Sequence, residues 1–356
     1  MMQSNGCMSA ASSAVLPHAI SGMKTGDFED TMEHLCAMRN QESDHYPICP
    51  NYLDFSSLVP PGQVSERVNE GWRRKICEWS YEVVDHFNFE REVVSVALRY
   101  LDLVVSIKTE ASGNAILRRD FQLIAVTSLY VAIKLHGESD ATEGPRRKLK
   151  ISAFVELSRG LFQVETLEAE ERIILALLKW HVNPPTTVHF VATYLRLLPQ
   201  WSNYDRTPVH SNVSQSIFEL SRYLTELSVC VSAFTFKFNS SCIAYAALLA
   251  AMDALHDTVS LAYDVRIAFL NNIAACMNMT PHLAQVRQCK TMLMELCPTM
   301  FEHTTPDADI GLTRSVSILS DYETTPSPSA RTSPVCVVDE LKQDLSPGKR
   351  RRISES

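Results

Sequence analysis

FQLIAVTSLYVAIKL, residues 121–135, carries no charge before Lys134, and its only polar side chains up to that point are Gln122, Thr127, Ser128 and the Tyr130 hydroxyl. A helix apolar nearly all round is buried, either in a protein core or in a membrane. A span needs roughly 20 apolar residues, so this segment belongs in a core. Ala125, Ser128 and Ala132 recur at helical spacing and make a narrow stripe where a neighbouring helix can come close. Asp120 precedes the segment and Lys134 closes it, each on the favourable side of the helix dipole. The expectation is an all-α protein with other helices packed around this one.

Working back toward the N-terminus, Val68, Trp72, Ile76, Trp79, Val83 and Phe87 recur every three or four residues and predict an amphipathic helix. Ser65 is its expected N-cap, with Glu66 in the first turn. Asn88 is the expected cap of the next helix, in which Val94, Ala97, Leu98, Leu101, Val104 and Val105 form an apolar face. Glu92, Ser95, Arg99, Asp102 and Ser106 form its polar stripe. Before Pro60-Pro61-Gly62, FEDTMEHLCAMRN (28–40) reads as a short amphipathic segment. The prolines of ESDHYPICPNYLDF (42–55) then break any helix. Working forward, short helices are expected over Ile151–Leu157 and from about Thr166 to Trp180, with Lys179 in the last turn. Pro184-Pro185 ends this first unit. A second set follows over Thr187–Leu198, Ser211–Cys230, Ser241–Leu255, Asp264–Cys276 and Pro281–Leu296. Its member CIAYAALLAAMDAL (242–255) repeats the small, nearly uncharged character of the first central helix.

Four regions are expected: a flexible 1–60 with a short helical segment, helical units over 61–183 and 184–298, and a Ser/Thr-Pro-rich tail over 299–356. Net charge is −8, which argues against a global field for nucleic acid. No run reaches membrane length, and no basic-then-apolar leader is read at the N-terminus. The 10 cysteines contain no CxxC pair and no nearby His at metal spacing, so reduced thiols in an intracellular setting are expected, without metal or other cofactor. The 11 histidines lie apart, with no nucleophile motif and no Gly-rich phosphate loop, so no enzyme is expected.

WRRKICEW (72–79), RYLDLVVS (99–106), the central helix ending in AIK (132–134) and LEAEERIILALLKW (167–180) resemble the cyclin box in order and spacing. The resemblance implies tandem cyclin folds, each of about five helices around a central apolar helix. Its recurring Arg, Asp, Leu, Lys and Glu fall on Arg73, Asp102, Leu123, Lys134 and Glu171. LLKW followed by a Pro-rich turn and VHFV (188–191) is similar to D-type plant and algal members, as is HLCAMRNQESDHYP (34–47) with NYLDF (51–55). Their retinoblastoma-binding Leu-x-Cys-x-Glu does not occur in the sequence.

A cyclin implies no catalytic residues. It implies a regulatory subunit that binds and activates a cyclin-dependent serine/threonine kinase, here for cell-cycle entry. The alternatives are a cyclin of a transcription or nutrient-sensing kinase, or a kinase-independent adaptor. By resemblance, Lys134 and Glu171 bind kinase backbone groups; from the residues alone they read as a helix-end salt bridge. Arg73 and Asp102 imply a buried structural pair. An Arg-x-Leu docking groove would fall on Trp72, Ile76, Trp79, Glu82 and Gln122, with Lys75 departing from the usual aliphatic and Phe121 beside it; the same tryptophans also read as core stripe. Thr305, Thr325, Ser327, Ser333 and Ser346 each precede Pro, and Ser346-Pro347-Gly348-Lys349 fits the preference of such kinases. Lys349, Arg350, Arg351 and Arg352 suit an import receptor, so a nuclear location, with a cytoplasmic share, is expected.

Overall fold

A computed structural model describes residues 25–54, 66–137, 149–199, 208–255 and 261–301. The described residues are helical; their only β pairing is an isolated bridge between Arg67 and Leu117. The described residues form two compact units, one within Pro47–Thr186 and Glu226–Phe238, the other from residues 25–46 with those of Thr187–Thr225 and Asn239–Met300.

The unit beginning at Pro47 contains α2 (Glu70–His86), α3 (Glu92–Ser112), α4 (Arg118–His136), α5 (Ile151–Leu157) and α6 (Val164–Leu177). Helix α4 contains the apolar segment Phe121–Leu135. Every residue from Phe121 to Ile133 is buried except Leu123, which is partly buried. Helices α2, α3, α5 and α6 all pack on it. Ala125, Ser128 and Ala132 are 3%, 1% and 0% exposed, the signature of close helix approach.

Three sequence expectations change here. Ser65 lies outside the described residues, and α2 instead starts after Asn69, whose side chain accepts the Trp72 N–H at 3.0 Å. Asn also belongs to the strongest capping residues. Asn88 does not cap α3. It sits at φ 56° in the turn after α2, a left-handed conformation that Asn tolerates well, and Arg91 holds the N-cap position. Helix α6 ends at Leu177, so Lys179 and Trp180 lie beyond it at φ 51° and 62°, with Trp180 turned out and 71% exposed.

The polar stripe of α3 has a purpose that its spacing could not reveal. Arg99 Nη2 donates to the Pro47 carbonyl, Ser106 Oγ donates to the Pro50 carbonyl at 3.0 Å, and Asp102 accepts the Tyr52 hydroxyl at 2.9 Å. A proline-broken segment is thereby laid along the helix, two of its carbonyls satisfied by side chains two turns apart and its Tyr52 hydroxyl by the carboxylate between them.

The other unit contains α1 (Thr25–His45), α7 (Thr187–Leu195), most of α8 (Pro208–Cys230), α10 (Ser240–Ala254), α11 (Tyr263–Met277) and α12 (Ala284–Leu296). The short helix α9 (Ser232–Lys237), which periodicity did not pick out, belongs with the first unit, and α13 (Pro298–Phe301) is one turn. Helix α10 is buried from Ser241 to Met252 and takes the central place, against α7 and α12. Helix α1 is longer than the expected amphipathic segment and docks on α7 and α11 through Leu35, 0% exposed, and Met38, 4%. Two charges fix it. Arg39 Nη1 donates to the Met277 carbonyl at the C-terminus of α11 at 2.6 Å. Glu42, buried, accepts the Ser241 N–H at 2.9 Å and the Ser241 hydroxyl at 2.6 Å, at the N-terminus of α10. A cation at one helix's C-terminus and an anion at another's N-terminus both complement the peptide dipoles.

Candidate partner-binding site

Lys134 closes α4, and Glu171 lies in the second turn of α6. The two helices pack together because Leu167 and Ile174, a helical heptad apart, are both fully buried beneath them. That contact carries Lys134 Nζ to 2.7 Å from Glu171 Oε1. The lysine side chain is 50% exposed and the glutamate 14%. The hydrogen bond to Glu171, set against slight burial, holds the ammonium above its ordinary lysine range, and the charge also lies 5.4 Å from the Tyr130 ring centroid. Neighbouring glutamates diverge: Glu170 is buried and pairs with Lys108 of α3 at 2.6 Å, while Glu171 faces Lys134. Only the helical phase, not residue type, separates these two roles.

The pair leaves unused capacity. An ammonium has three donors and an ionised carboxylate about four acceptor sites, while the Lys134–Glu171 hydrogen bond occupies one of each and Tyr130 takes a second donor of Lys134. Paired charge with spare hydrogen-bonding groups can clamp backbone groups of a second macromolecule. It has no nucleophile, and among the described residues no group of three His, Cys, Asp or Glu side chains could hold a metal ion.

Arg73 and Asp102 form a different kind of site. Their side chains are 0% and 1% exposed, and the guanidinium meets the carboxylate through two bonds, Nε–Oδ1 at 3.0 Å and Nη2–Oδ2 at 2.7 Å. Burial opposes the Arg73 charge, but Asp102 outweighs it and raises the pKa above the ordinary arginine value. The same guanidinium donates to the Val229 carbonyl at 2.8 Å and to Thr235 Oγ1 at 3.2 Å. Asp102 also takes the Tyr52 hydroxyl, whose own ionisation is suppressed by burial first and by that carboxylate second. The pair is thus a hub for α2, α3, the Tyr52 segment, the end of α8 and α9. Tyr52, Val229 and Thr235 were not read from the sequence, because nothing in their local pattern marks a partner at such separation.

The groove positions are spread over different environments. Ile76, Trp79 and Gln122 are buried at 4%, 2% and 3% exposure, whereas Trp72 and Glu82 are partly buried. Phe121 is fully buried. Two cations face Trp72: Arg118 at 4.3 Å and Lys75 at 5.6 Å from the ring centroid. Leu123 borders the core around α4. Thr305, Thr325, Ser327, Ser333, Ser346 and the run Lys349, Arg350, Arg351, Arg352 lie outside the described residues.

Residues 35–183 match the family model "Cyclin, N-terminal domain". The chain is 24% identical over 222 residues to G2/mitotic-specific cyclin-A of Patella vulgata, a match covering 62% of this chain and 42% of that protein. It is 28% identical over 126 residues to G1/S-specific cyclin-E of Caenorhabditis briggsae, covering 35% and 22%. It is 27% identical over 230 residues to cyclin-D3-1 of Oryza sativa subsp. japonica, covering 65% and 59%. The chain therefore spans less than two thirds of each of these relatives. Together the matches support the cyclin family, with A, E and D types at comparable identity and none singled out.

Proposed function

We propose that this chain, whose residues 35–183 match the cyclin N-terminal domain, is a cyclin: a non-catalytic regulatory subunit that binds and activates a cyclin-dependent serine/threonine protein kinase. The observation that carries the reading is the Lys134–Glu171 pair, half-exposed on the lysine side, with an unused donor and unused acceptors. In such a kinase the C-helix must present a Glu to the ATP-anchoring Lys before phosphoryl transfer can proceed. Lys134 and Glu171 would hold the backbone of the loop before that helix and so bias the kinase toward its active arrangement. The finer reading is a D-type cyclin acting at cell-cycle entry, located in the nucleus with a cytoplasmic share, its tail phosphorylated at the Ser/Thr-Pro positions. What supports the branch is the segment around HLCAMRNQESDHYP and the LLKW-to-VHFV join.

The test is affinity purification of the full chain followed by a protein-kinase assay on the captured material, compared with Lys134→Ala/Glu171→Ala. Hydrogen bonds to charged groups contribute roughly 1.5–3 kcal/mol each, so losing both weakens association about a hundredfold or more. The double variant should melt as a folded helical protein and capture no active kinase, because an exposed pair serving only itself is worth about 0–1 kcal/mol to the fold. A folded double variant that activates its kinase fully would refute the assignment.

A further inference from the structure

One face of α2 holds the stretch from Glu226 to Ser232 at four successive levels. Glu70 Oε1 accepts the Ser232 N–H at 2.9 Å, and Arg73 donates to the Val229 carbonyl at 2.8 Å. Further along the helix, the Tyr81 hydroxyl donates to the Glu226 carbonyl at 3.3 Å. Between these levels sits Cys77, with its Sγ 3.1 Å from the Sγ of Cys230. The thiols are thus brought into register by hydrogen bonds on both sides, and both are free. We infer that Cys77 and Cys230 are a modification site: a dithiol that a hydroperoxide converts reversibly to a disulfide linking α2 to the C-terminal end of α8.

The two cysteines are suited to different halves of that reaction. Cys230 is partly exposed, while Cys77 is fully buried. The hydrogen bond from Cys77 and, less strongly, the Arg73 charge favour the Cys230 thiolate against the opposing effect of burial. Burial and the Cys230 contact hold Cys77 protonated. Cys230 is therefore the attacking thiolate. Its sulfur takes one oxygen of the hydroperoxide, the O–O bond breaks, and water or an alcohol leaves with the thiol proton, giving a sulfenic acid. The Cys77 sulfur then attacks Cys230 Sγ, the S–O bond breaks, and the hydroxide leaves as water with the Cys77 proton. The dithiol is oxidised by two electrons and one hydroperoxide is reduced. The sulfurs must approach by about 1 Å to reach disulfide length; Cys230 is the last residue of α8, where the backbone leaves the helix. Cys242 and Cys289 are also hydrogen-bonded, but both are buried, so neither presents an accessible attacking sulfur.

The experiment treats the purified full chain with hydrogen peroxide, blocks remaining thiols with a maleimide, and maps cross-linked peptides by mass spectrometry before and after dithiothreitol. The Cys77–Cys230 peptide pair should be the first disulfide to form and should disappear on reduction. In Cys77→Ser, Cys230 should accumulate as sulfenic acid, trapped by a 1,3-diketone probe; in Cys230→Ser, Cys77 should stay a free thiol through the same treatment. Wild-type chain in which both cysteines remain alkylatable, or in which Cys242–Cys289 forms while they stay reduced, would overturn the inference.

Discussion

Replacing Asp102 by Asn keeps the shape of the buried carboxylate and removes its charge. The structure sets what that must cost. Arg73 is fully buried, two of its bonds end on Asp102, and its remaining partners are a carbonyl and a hydroxyl, neither of which neutralises a cation. Removing one member of a buried pair typically destabilises by about 3–5 kcal/mol, because the other charge stays desolvated and unpaired. For units of this size about 1 kcal/mol shifts the melting midpoint by about 2–4 °C, so Asp102→Asn should lower it on the order of 10 °C. Tyr52→Phe removes only one hydrogen bond to the same carboxylate and should cost less, roughly 1.5–3 kcal/mol. The decisive comparison is Arg73→Met/Asp102→Leu. With neither charge left, much of the loss should return, although the Val229 carbonyl then lacks its donor. Thermal and urea melts followed by circular dichroism measure all of these. An Asp102→Asn protein that melts with wild type, or a double variant that falls by the sum of its singles, would refute the claim that an unpaired buried charge governs this hub.

Two further outcomes are expected. Glu42→Ala should cost about 2 kcal/mol, since the α10 N-terminus loses a buried anionic cap, and hydrogen exchange should speed up at Ser241 before the centre of α10; unchanged protection there would reject the capping role. Deleting Lys349–Arg352 should move a fluorescently tagged chain from nucleus to cytoplasm under the microscope, and nuclear retention in cells lacking any partner kinase would sink the import reading.

The helices themselves were legible. Phe121–Leu135 and CIAYAALLAAMDAL announce burial by composition, because an uncharged helix too short for a bilayer can satisfy its surface only inside a core. Two ion pairs were legible as pairs: Arg73–Asp102 through the resemblance and Lys134–Glu171 as a helix-end salt bridge. Helix ends were less so. Asn69 rather than Ser65 caps α2, and Trp180 leaves α6 in a left-handed turn, because termini are decided by which side chain reaches an orphan backbone group and by how the next segment packs.

What the sequence determined by itself is periodic: which long segments are helical and which two are central. Those properties depend on residues three or four apart. What only the tertiary structure decided is pairing at long range. It sent Glu170 inward to Lys108 and Glu171 to Lys134, placed Glu42 at the N-terminus of α10, laid Pro47 to Tyr52 along Arg99, Asp102 and Ser106, and set Cys77 against Cys230 across 153 residues of chain. No local pattern encodes such partners. They are chosen when packing removes water from a polar group, leaving it to find whichever donor or acceptor the fold has brought within reach.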